Sequence, residues 1–334
     1  MIFDELLDVC HSLRKAGVRK TLHMKLADLG IRISCVGFEP EEIMFSSIKD
    51  LFCDEEGGSF EDFFCFEIKM EDLIKMLPEE THDKDGRTIY DGEKGRFVLS
   101  VEHGFFSLYS NTEGITYICL CPDKRSLDEF ISHPFHMELG WWALRKGMFF
   151  LHSACIGKGD AGILISGAGG SGKSTLSMSA LLCGMDFLSD DYVLIRNKKR
   201  PEALRIYSTS YLKKDVLEMM EELKEDITYV NEEREKCLIS LDRHKSCIKD
   251  VFELGAVVIP HIVHREEPLI EENRDLRKLL PLLASTSYQN RELRNKEVFT
   301  KIMALFRELK SYDLWLSDDI MKNAEYLKEW MGTL

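Results

Sequence analysis

The chain has 334 residues, 44% of them hydrophobic and 31% charged, with 22 Gly and 8 Pro, which excludes collagen-like and low-complexity chains and fits an ordinary globular protein of two domains. Acidic residues outnumber Lys and Arg by 58 to 44, a net charge of −14, which argues against any role that depends on affinity for a phosphate backbone. The imbalance sits in the first part, with 15 basic against 28 acidic residues in 1–140 and 29 against 30 in 141–334. Two units with different tasks are therefore expected.

Residues 1–14 carry Ile2, Phe3, Leu6, Leu7, Cys10 and Leu13 at helical spacing and predict an amphipathic helix. Segments 31–36, 62–68, 96–102, 105–110 and 115–121 read as strands. Turn signals at His103-Gly104 and at Asn111 to Gly114 make the last three an antiparallel meander. Ten scattered cysteines with no C-x-x-C pair predict buried, reduced thiols. Cys119 and Cys121, alternating on one strand, share a face. The first residues carry acids where a secretion signal needs bases, and no apolar run is long enough to span a bilayer, so a cytoplasmic protein is expected.

A boundary is placed near 136, dividing an acidic N-terminal α+β domain (1–136) from a second domain (137–334). Beyond it comes a helical stretch over 137–147, then strands at 148–156 and 161–166, a helix over 173–184, and strands at 186–188 and 192–196. This alternation predicts an α/β nucleotide-binding core. Further on, helices are expected near 211–224, 276–283, 291–310 and 320–331, and strands near 236–241 and 253–259.

The core contains AGILISGAGGSGKST at 161–175, in which Gly167, Gly172, Lys173 and Ser174 satisfy G-x-x-x-x-G-K-[ST]. Its glycines, Gly167, Gly169, Gly170 and Gly172, let backbone N–H groups turn inward, and the other loop residues Ala168, Ser171 and Thr175 complete the cradle at the helix N-terminus. Lys173 is expected to reach the β- and γ-phosphates of ATP, and the Ser174 hydroxyl to ligate Mg²⁺. An apolar strand precedes the motif and a helix with a Gly stop follows, as the motif requires. Asp-x-x-Gly occurs only upstream, at Asp54 and Asp83, and there is neither a guanine motif nor an LSGGQ-type signature. GTPase and ABC-type readings are thereby disfavoured. Asp190 follows Lys173 by 17 residues, with Asp191 beside it. Two adjacent carboxylates near the phosphates suit two tasks: Asp190 to hold the metal, Asp191 to accept a proton from an attacking hydroxyl.

The stretch LHSACIGKGDAGILISGAGGSGKSTLSMSALLCGMDFLSDDYVLI resembles the core of the HPr kinase/phosphorylase family, whose P-loop architecture is shared with ATP-dependent phosphoenolpyruvate carboxykinases. His152, the loop Gly167 to Ser174, Gly184 and Asp190-Asp191 fall on that pattern in order. The resemblance covers about 45 residues closely and nothing before about 137. It implies a P-loop kinase core of the HPr kinase/carboxykinase type behind an N-terminal mixed α/β domain, and places His152 at the edge of the phosphate site. Where HPr kinases carry Ser-Glu and Asp-Asp-Arg, this chain has Ser174-Thr175 and Asp190-Asp191-Tyr192. The Asp-Asp-Tyr form is more similar to relatives that phosphorylate a serine of lasso-peptide precursors.

Phosphoryl transfer also calls for an additional cation, for which Lys236, His261, His264 and Arg265 are candidates. The expected reaction is transfer of the ATP γ-phosphoryl to a serine of a peptide or protein. A free amino acid or another small alcohol is the alternative acceptor, and a nucleotide-gated binding protein without phosphotransfer is the alternative class. The acidic N-terminal domain is suited to recruiting a basic partner, or to serving as a lid or scaffold.

Overall fold

The computed structural model describes residues 2–26, 29–54, 59–76, 87–101, 104–121, 130–273 and 296–334. The chain divides into two compact units, Met1–Glu138 and Leu139–Leu334. Both are mixed α/β.

The first unit opens with α1 (Ile2–Arg14), β1 (Val18–Leu26) and β2 (Leu29–Val36). A 3₁₀ segment at Glu42–Leu51 leads into β3 (Phe52–Cys53), β4 (Phe60–Glu67) and α2 (Met70–Met76). Four strands follow: β5 (Arg87–Gly92), β6 (Gly95–Ser100), β7 (Phe105–Ser110) and β8 (Ile115–Leu120). They form one eight-stranded sheet in the order 3-1-2-4-8-7-6-5, parallel where β2 meets β4 and β4 meets β8, and antiparallel elsewhere. The meander expected over 96–121 is thus β6–β7–β8. Its Asn111–Gly114 turn is formed, with Gly114 at φ +68°, whereas His103 lies outside the described residues. Phe3, Leu6 and Cys10 of α1, with Met70 and Leu73 of α2, pack on Phe64, Phe66, Phe97, Leu99, Phe106, Leu108 and Tyr117. Cys119 and Cys121 both join this face, as alternation requires. The sequence reading did not include β1 and β5: the alternation in VRKTLHMKL is confined to Leu22, Met24 and Leu26 after a basic start, and RTIYDG has none.

The second unit is built on a nine-stranded mixed sheet. Near its start lies α3 (His136–Arg145), followed by β9 (Phe149–His152), β10 (Ala154–Lys158), β11 (Ala161–Ile165), α4 (Lys173–Leu182), β12 (Asp186–Ser189), β13 (Tyr192–Arg196) and β14 (Glu202–Leu204). Three strands then make a small antiparallel sheet of their own: β15 (Thr209–Lys213), β16 (Ile227–Asn231) and β17 (Lys236–Ser240), with the one-turn α5 (Lys214–Glu218) between the first two. The chain returns to the large sheet with β18 (Val251–Ile262), β19 (Leu269–Asn273), α6 (Lys296–Glu308), β20 (Lys310–Leu316) and α7 (Ile320–Met331). The large sheet runs 12-10-11-18-14-13-9, with β20 beside β18 and β19 outside β20. Strands β11, β18 and β20 are mutually parallel at its centre.

Both faces of this sheet are covered, which explains the continuous apolar runs in its strands. Ile156, Ile163, Ile165, Val258 and Leu314 meet Leu176, Ala180 and Leu181 of α4 and Ala324 and Leu327 of α7 on one face. Leu164, Val193, Ile195 and Val257 meet Ile302, Leu305 and Phe306 of α6 on the other. Gly184, at φ +76°, ends α4, and Lys328 of α7 donates to the Cys183 carbonyl at 2.6 Å, capping the helix with a cation. Asp319 caps α7 by accepting from the Met321 and Lys322 amides.

Several expectations are corrected. The run 148–156 is two strands, because Ser153 interrupts it. The Ser153 hydroxyl donates to the Ala154 and Ile165 carbonyls, and the chain changes partners there, from β13 to β11 and β12. The helix expected at 211–224 is not formed: Thr209–Lys213 pairs with β17. Only Lys214–Glu218 is α-helical, and Glu221–Asp226 is a 3₁₀ turn. Leu217, Met220 and Leu223, all buried, repeat every three residues, the 3₁₀ period. The helix expected to reach 310 stops at Glu308, and the following KSYDLWL is the parallel strand β20. The helix expected at 276–283 lies outside the described residues.

All ten cysteines are free thiols, seven of them buried. Among the described residues no helix is long and apolar enough to cross a membrane.

Candidate active site

The Gly-rich loop leaves the C-terminal end of β11, and its entry is fixed by two buried serines. Ser166 donates its amide to the Val258 carbonyl at 3.0 Å and its hydroxyl to Ser153 at 2.9 Å. Gly167 has no room for a side chain, since a Cβ there would collide with Ser171. Gly170 and Gly172 lie at φ +79° and +92°, the left-handed region that glycine enters without strain. Gly172 is the residue from which α4 starts, so the first amides of that helix point toward the loop. Ala168, Gly169 and Gly170 form the exposed crest, whereas the Ser171 hydroxyl oxygen is buried with no hydrogen-bond partner among the described residues.

Lys173, the first residue of α4, folds its side chain back into the loop. Its Nζ donates to the Gly167 and Ala168 carbonyls at 2.8 and 3.2 Å. Burial lowers the pKa of this ammonium, and the negative charges of Asp191 and Asp190 work in the opposite direction. It is a desolvated cation held by neutral carbonyls. A phosphate beside it would add a directly paired countercharge.

The paired aspartates occupy the bend between β12 and β13, and their environments differ. Asp190 is buried, and each carboxylate oxygen accepts a serine hydroxyl: Oδ1 from Ser177 of α4 at 2.9 Å and Oδ2 from Ser210 of β15 at 2.6 Å. Ser174 of the loop lies near enough to favour its charged form. Burial raises its pKa to about 6, the Asp191 charge adds to the rise, and the three hydroxyls pull it back. Asp191 is only half-buried. His152 ends β9 directly across from Tyr192, the residue after Asp191, and the two rings meet edge-on with centroids 5.0 Å apart. The fold thus gathers the loop, both aspartates and His152 at one end of the sheet.

The four candidate cations separate. Lys236, at the start of β17, lies close enough to Lys173 to disfavour its charge, with Nζ 5.0 Å from the centroid of the Tyr211 ring. His261 belongs to the other face of the sheet. Its Nε2 is 2.7 Å from Asp313 Oδ1 and its ring stacks on Trp315 at 4.4 Å. Its chain neighbours are the residues beside the loop: Pro260 lies near Gly167, and Ile262 near Gly172. His264 bonds Asp318 at the surface, and Arg265 is exposed.

The motif did not reveal Ser153, Ser166, Ser177 and Ser210. Ser177 carried a usable signal, since it lies one helical turn after Ser174 and shares its face. Ser210 carried none, because it arrives on a strand of a separate sheet.

The site fits a nucleotide phosphate with Mg²⁺: an inward-facing loop, a Ser171 hydroxyl unpartnered among the described residues and a buried ammonium on one side, and Asp190 with Ser174 near it on the other. Among the described residues no group of three or more His, Cys, Asp or Glu side chains forms a metal cage. A magnesium ion that takes most of its ligands from phosphate and water requires none.

No family model matches the chain, and no curated protein matches it. Among the solved structures similar to it is the Hpr(Ser) kinase/phosphatase from Coxiella burnetii. The two are 12% identical, the match covers 55% of this chain and 93% of that one, and the TM-score is 0.31. This is a distant, partial structural similarity.

Proposed function

We propose that the protein is an ATP-dependent kinase that transfers the γ-phosphoryl group to a serine hydroxyl of a peptide or protein. The observation that carries this reading is the division of labour within one bend. Asp190 is buried and held by the Ser177 and Ser210 hydroxyls, with Ser174 of the glycine-rich loop near enough to favour its charge, whereas its neighbour Asp191 stays accessible. A loop that only bound nucleotide would need no second carboxylate.

On this reading Gly167 to Thr175 hold the phosphates, with the amides at the start of α4 aimed at oxygen atoms and Lys173 leaving the Gly167 and Ala168 carbonyls for the β- and γ-phosphates. Ser174 and Asp190 would hold Mg²⁺, which supplies neutralisation of the phosphate charge. Asp191 accepts the proton of the serine hydroxyl as its oxygen bonds to the γ-phosphorus and the bond from that phosphorus to the bridging oxygen breaks, leaving ADP. His152, behind Tyr192, orients the bend. Lys236 supplies the second positive charge near Lys173 for the charge that develops on the transferring group.

The test is direct. Purified protein with Mg²⁺ and γ-labelled ATP, offered serine-containing peptides and free serine, should label a peptide, and Asp191→Asn should abolish labelling while still binding ATP. Labelling of free serine alone would move the acceptor to a small alcohol. Nucleotide binding with no transfer to any hydroxyl would leave a nucleotide-gated binding protein. The lasso-type precursor peptide is the first acceptor to try.

A further inference from the structure

The glycine-rich loop has two unlike flanks. Its strand, β11, lies between β10 and β18, and β12 lies beyond β10. Strands β11 and β12 are both antiparallel to β10 and so run the same way, which brings Asp190, the residue after β12, to the end of the sheet that carries the loop. The paired aspartates therefore stand on one flank of the loop, and β18 with β20 stands on the other.

On that second flank the sheet outruns the strand that feeds the loop. β11 ends at Ile165, level with Val258, whereas β18 continues through Ile259, Pro260 and His261 to Ile262, which pairs with Leu316 of β20. Alternation sends Val258, Pro260 and Ile262 to the face that carries α4, where Val258 packs with Leu176 and Ala180. A Cβ on Gly172 would meet Ile262 Cδ1 and Cγ1 at 3.8 Å and Leu316 Cδ1 at 3.2 Å. Leu316 is buried, but Ile262 is 63% exposed, the most exposed large apolar side chain among the described residues. Both segments that follow, 263–268 toward β19 and 317–319 toward α7, are among those residues as well. An open isoleucine beside the residue that starts α4 does not suit a loop that holds phosphate alone. Against a bare polyanion it would strip water from charge and cover nothing apolar.

We infer that Ile262 is the surface on which the nucleoside of the phosphoryl donor packs, so that the donor is a nucleoside triphosphate and not an inorganic polyphosphate. The inference rests on the kinase reading. In that reading the γ-phosphate faces Asp191, and a triphosphate laid along the loop carries its nucleoside away from the aspartates, to the β18–β20 flank. There Ile262 covers part of the sugar and base, and burial of its open methyl groups adds affinity that the phosphates do not supply. The contact is made to the part of the donor that does not react, so it acts on binding and not on the transfer step.

The experiment compares ATP with inorganic tripolyphosphate, each with Mg²⁺, by calorimetric titration of the full-length native protein and of Ile262→Ala and Ile262→Leu. The native protein should bind ATP the more tightly. Ile262→Ala should weaken ATP by about three- to tenfold and leave tripolyphosphate within about twofold. Ile262→Leu, which keeps the apolar volume, should restore most of the ATP affinity. Without ligand all three proteins should melt together, because the substituted side chain is exposed. Equal weakening of both ligands in Ile262→Ala would show that the side chain acts through the loop and would overturn the inference. Unchanged ATP affinity, or a native preference for tripolyphosphate, would overturn it too. Those three results leave phosphate binding standing, whereas a native protein that binds neither ligand would overturn the kinase reading and this inference together.

Discussion

The hydroxyl of Ser210 donates to Oδ2 of Asp190 at 2.6 Å, reaching it from a strand of the three-stranded sheet, 20 residues further along the chain. Together with Ser177 on Oδ1 it fixes the carboxylate plane from two separate elements. Ser210→Ala removes one of these ties and leaves a buried oxygen without its donor. We expect a loss of about 1–3 kcal/mol in stability from the unsatisfied oxygen, measured by urea unfolding. On the proposed reading the Mg²⁺ requirement of the kinase also shifts to higher concentration, while Ser210→Thr, which keeps the hydroxyl, restores most of both.

Asp190 also makes stability depend on pH in a direction opposite to that of a salt-bridged aspartate. Its folded-state pKa is raised from 3.8 to about 6 by burial and by the Asp191 charge. Folding therefore favours the protonated form. That contribution is fully present below about pH 4 and is lost as pH rises through about 6. Asp190→Asn, which cannot ionise, should accordingly melt higher than the native protein at pH 8 and close to it at pH 4 in the absence of nucleotide. Metal binding should run the other way, because the ionised carboxylate is the ligand. On the proposed reading Mg²⁺-dependent ATP affinity rises from pH 5 to pH 7 and is lost in Asp190→Asn. Equal melting shifts at both pH values would show that Asp190 carries no excess proton affinity.

What the sequence made legible, and what it hid, follows from how local each signal is. The glycine-rich turn between a strand and α4, and the stop of α4 at Gly184, were readable because glycine at φ > 0, a strand before and a helix after are encoded within about 25 residues. The pair Asp190-Asp191 was readable for the same reason. Which oxygen of Asp190 meets which serine was not, since Ser210 comes from another sheet. The stretch 209–224 shows the limit most clearly. Tyr211, Leu212 and Leu217 suit a helix or a strand equally, and pairing of Thr209–Lys213 with Lys236–Ser240, a tertiary choice, decided it. In the same way KSYDLWL follows a helix without a breaker, and its parallel register against β18 exists only in the assembled sheet.

Lys236 and His261 were equivalent candidates by sequence and are separated by structure, which gives a paired prediction. Lys236 lies in the field of Lys173, over the Tyr211 ring. His261 is bound to Asp313 and stacked on Trp315 on the other face. Lys236→Ala should lower kcat by roughly 10²-fold with little change in the affinity for ADP, a ligand lacking the transferring group. His261→Ala should leave kcat within about threefold and instead lower Tm, through the lost ring stacking and the lost bond to Asp313. If His261→Ala lost turnover and Lys236→Ala did not, the second cation would be wrongly assigned.

Lys173 offers the most severe test, because its two roles predict opposite changes. Without nucleotide its ammonium is desolvated and hydrogen-bonded to the Gly167 and Ala168 carbonyls, and burial disfavours its charge more than Asp191 and Asp190 favour it. Replacing it with methionine, of similar length and no charge, removes that desolvation penalty at the expense of two hydrogen bonds to the loop. The unliganded Lys173→Met protein should therefore unfold within about 1 kcal/mol of the native protein, the two effects offsetting. With a phosphate in the loop the balance reverses, since the ammonium is then paired with an anion in a low-dielectric site, where such a bond is strong. ATP with Mg²⁺ should raise the Tm of the native protein and not that of Lys173→Met. Calorimetric titration should show the affinity of the variant reduced by about two orders of magnitude or more. If Mg²⁺ and ATP raised both melting temperatures equally, the Gly167–Thr175 loop would not be the nucleotide site, and the kinase reading would lose its foundation.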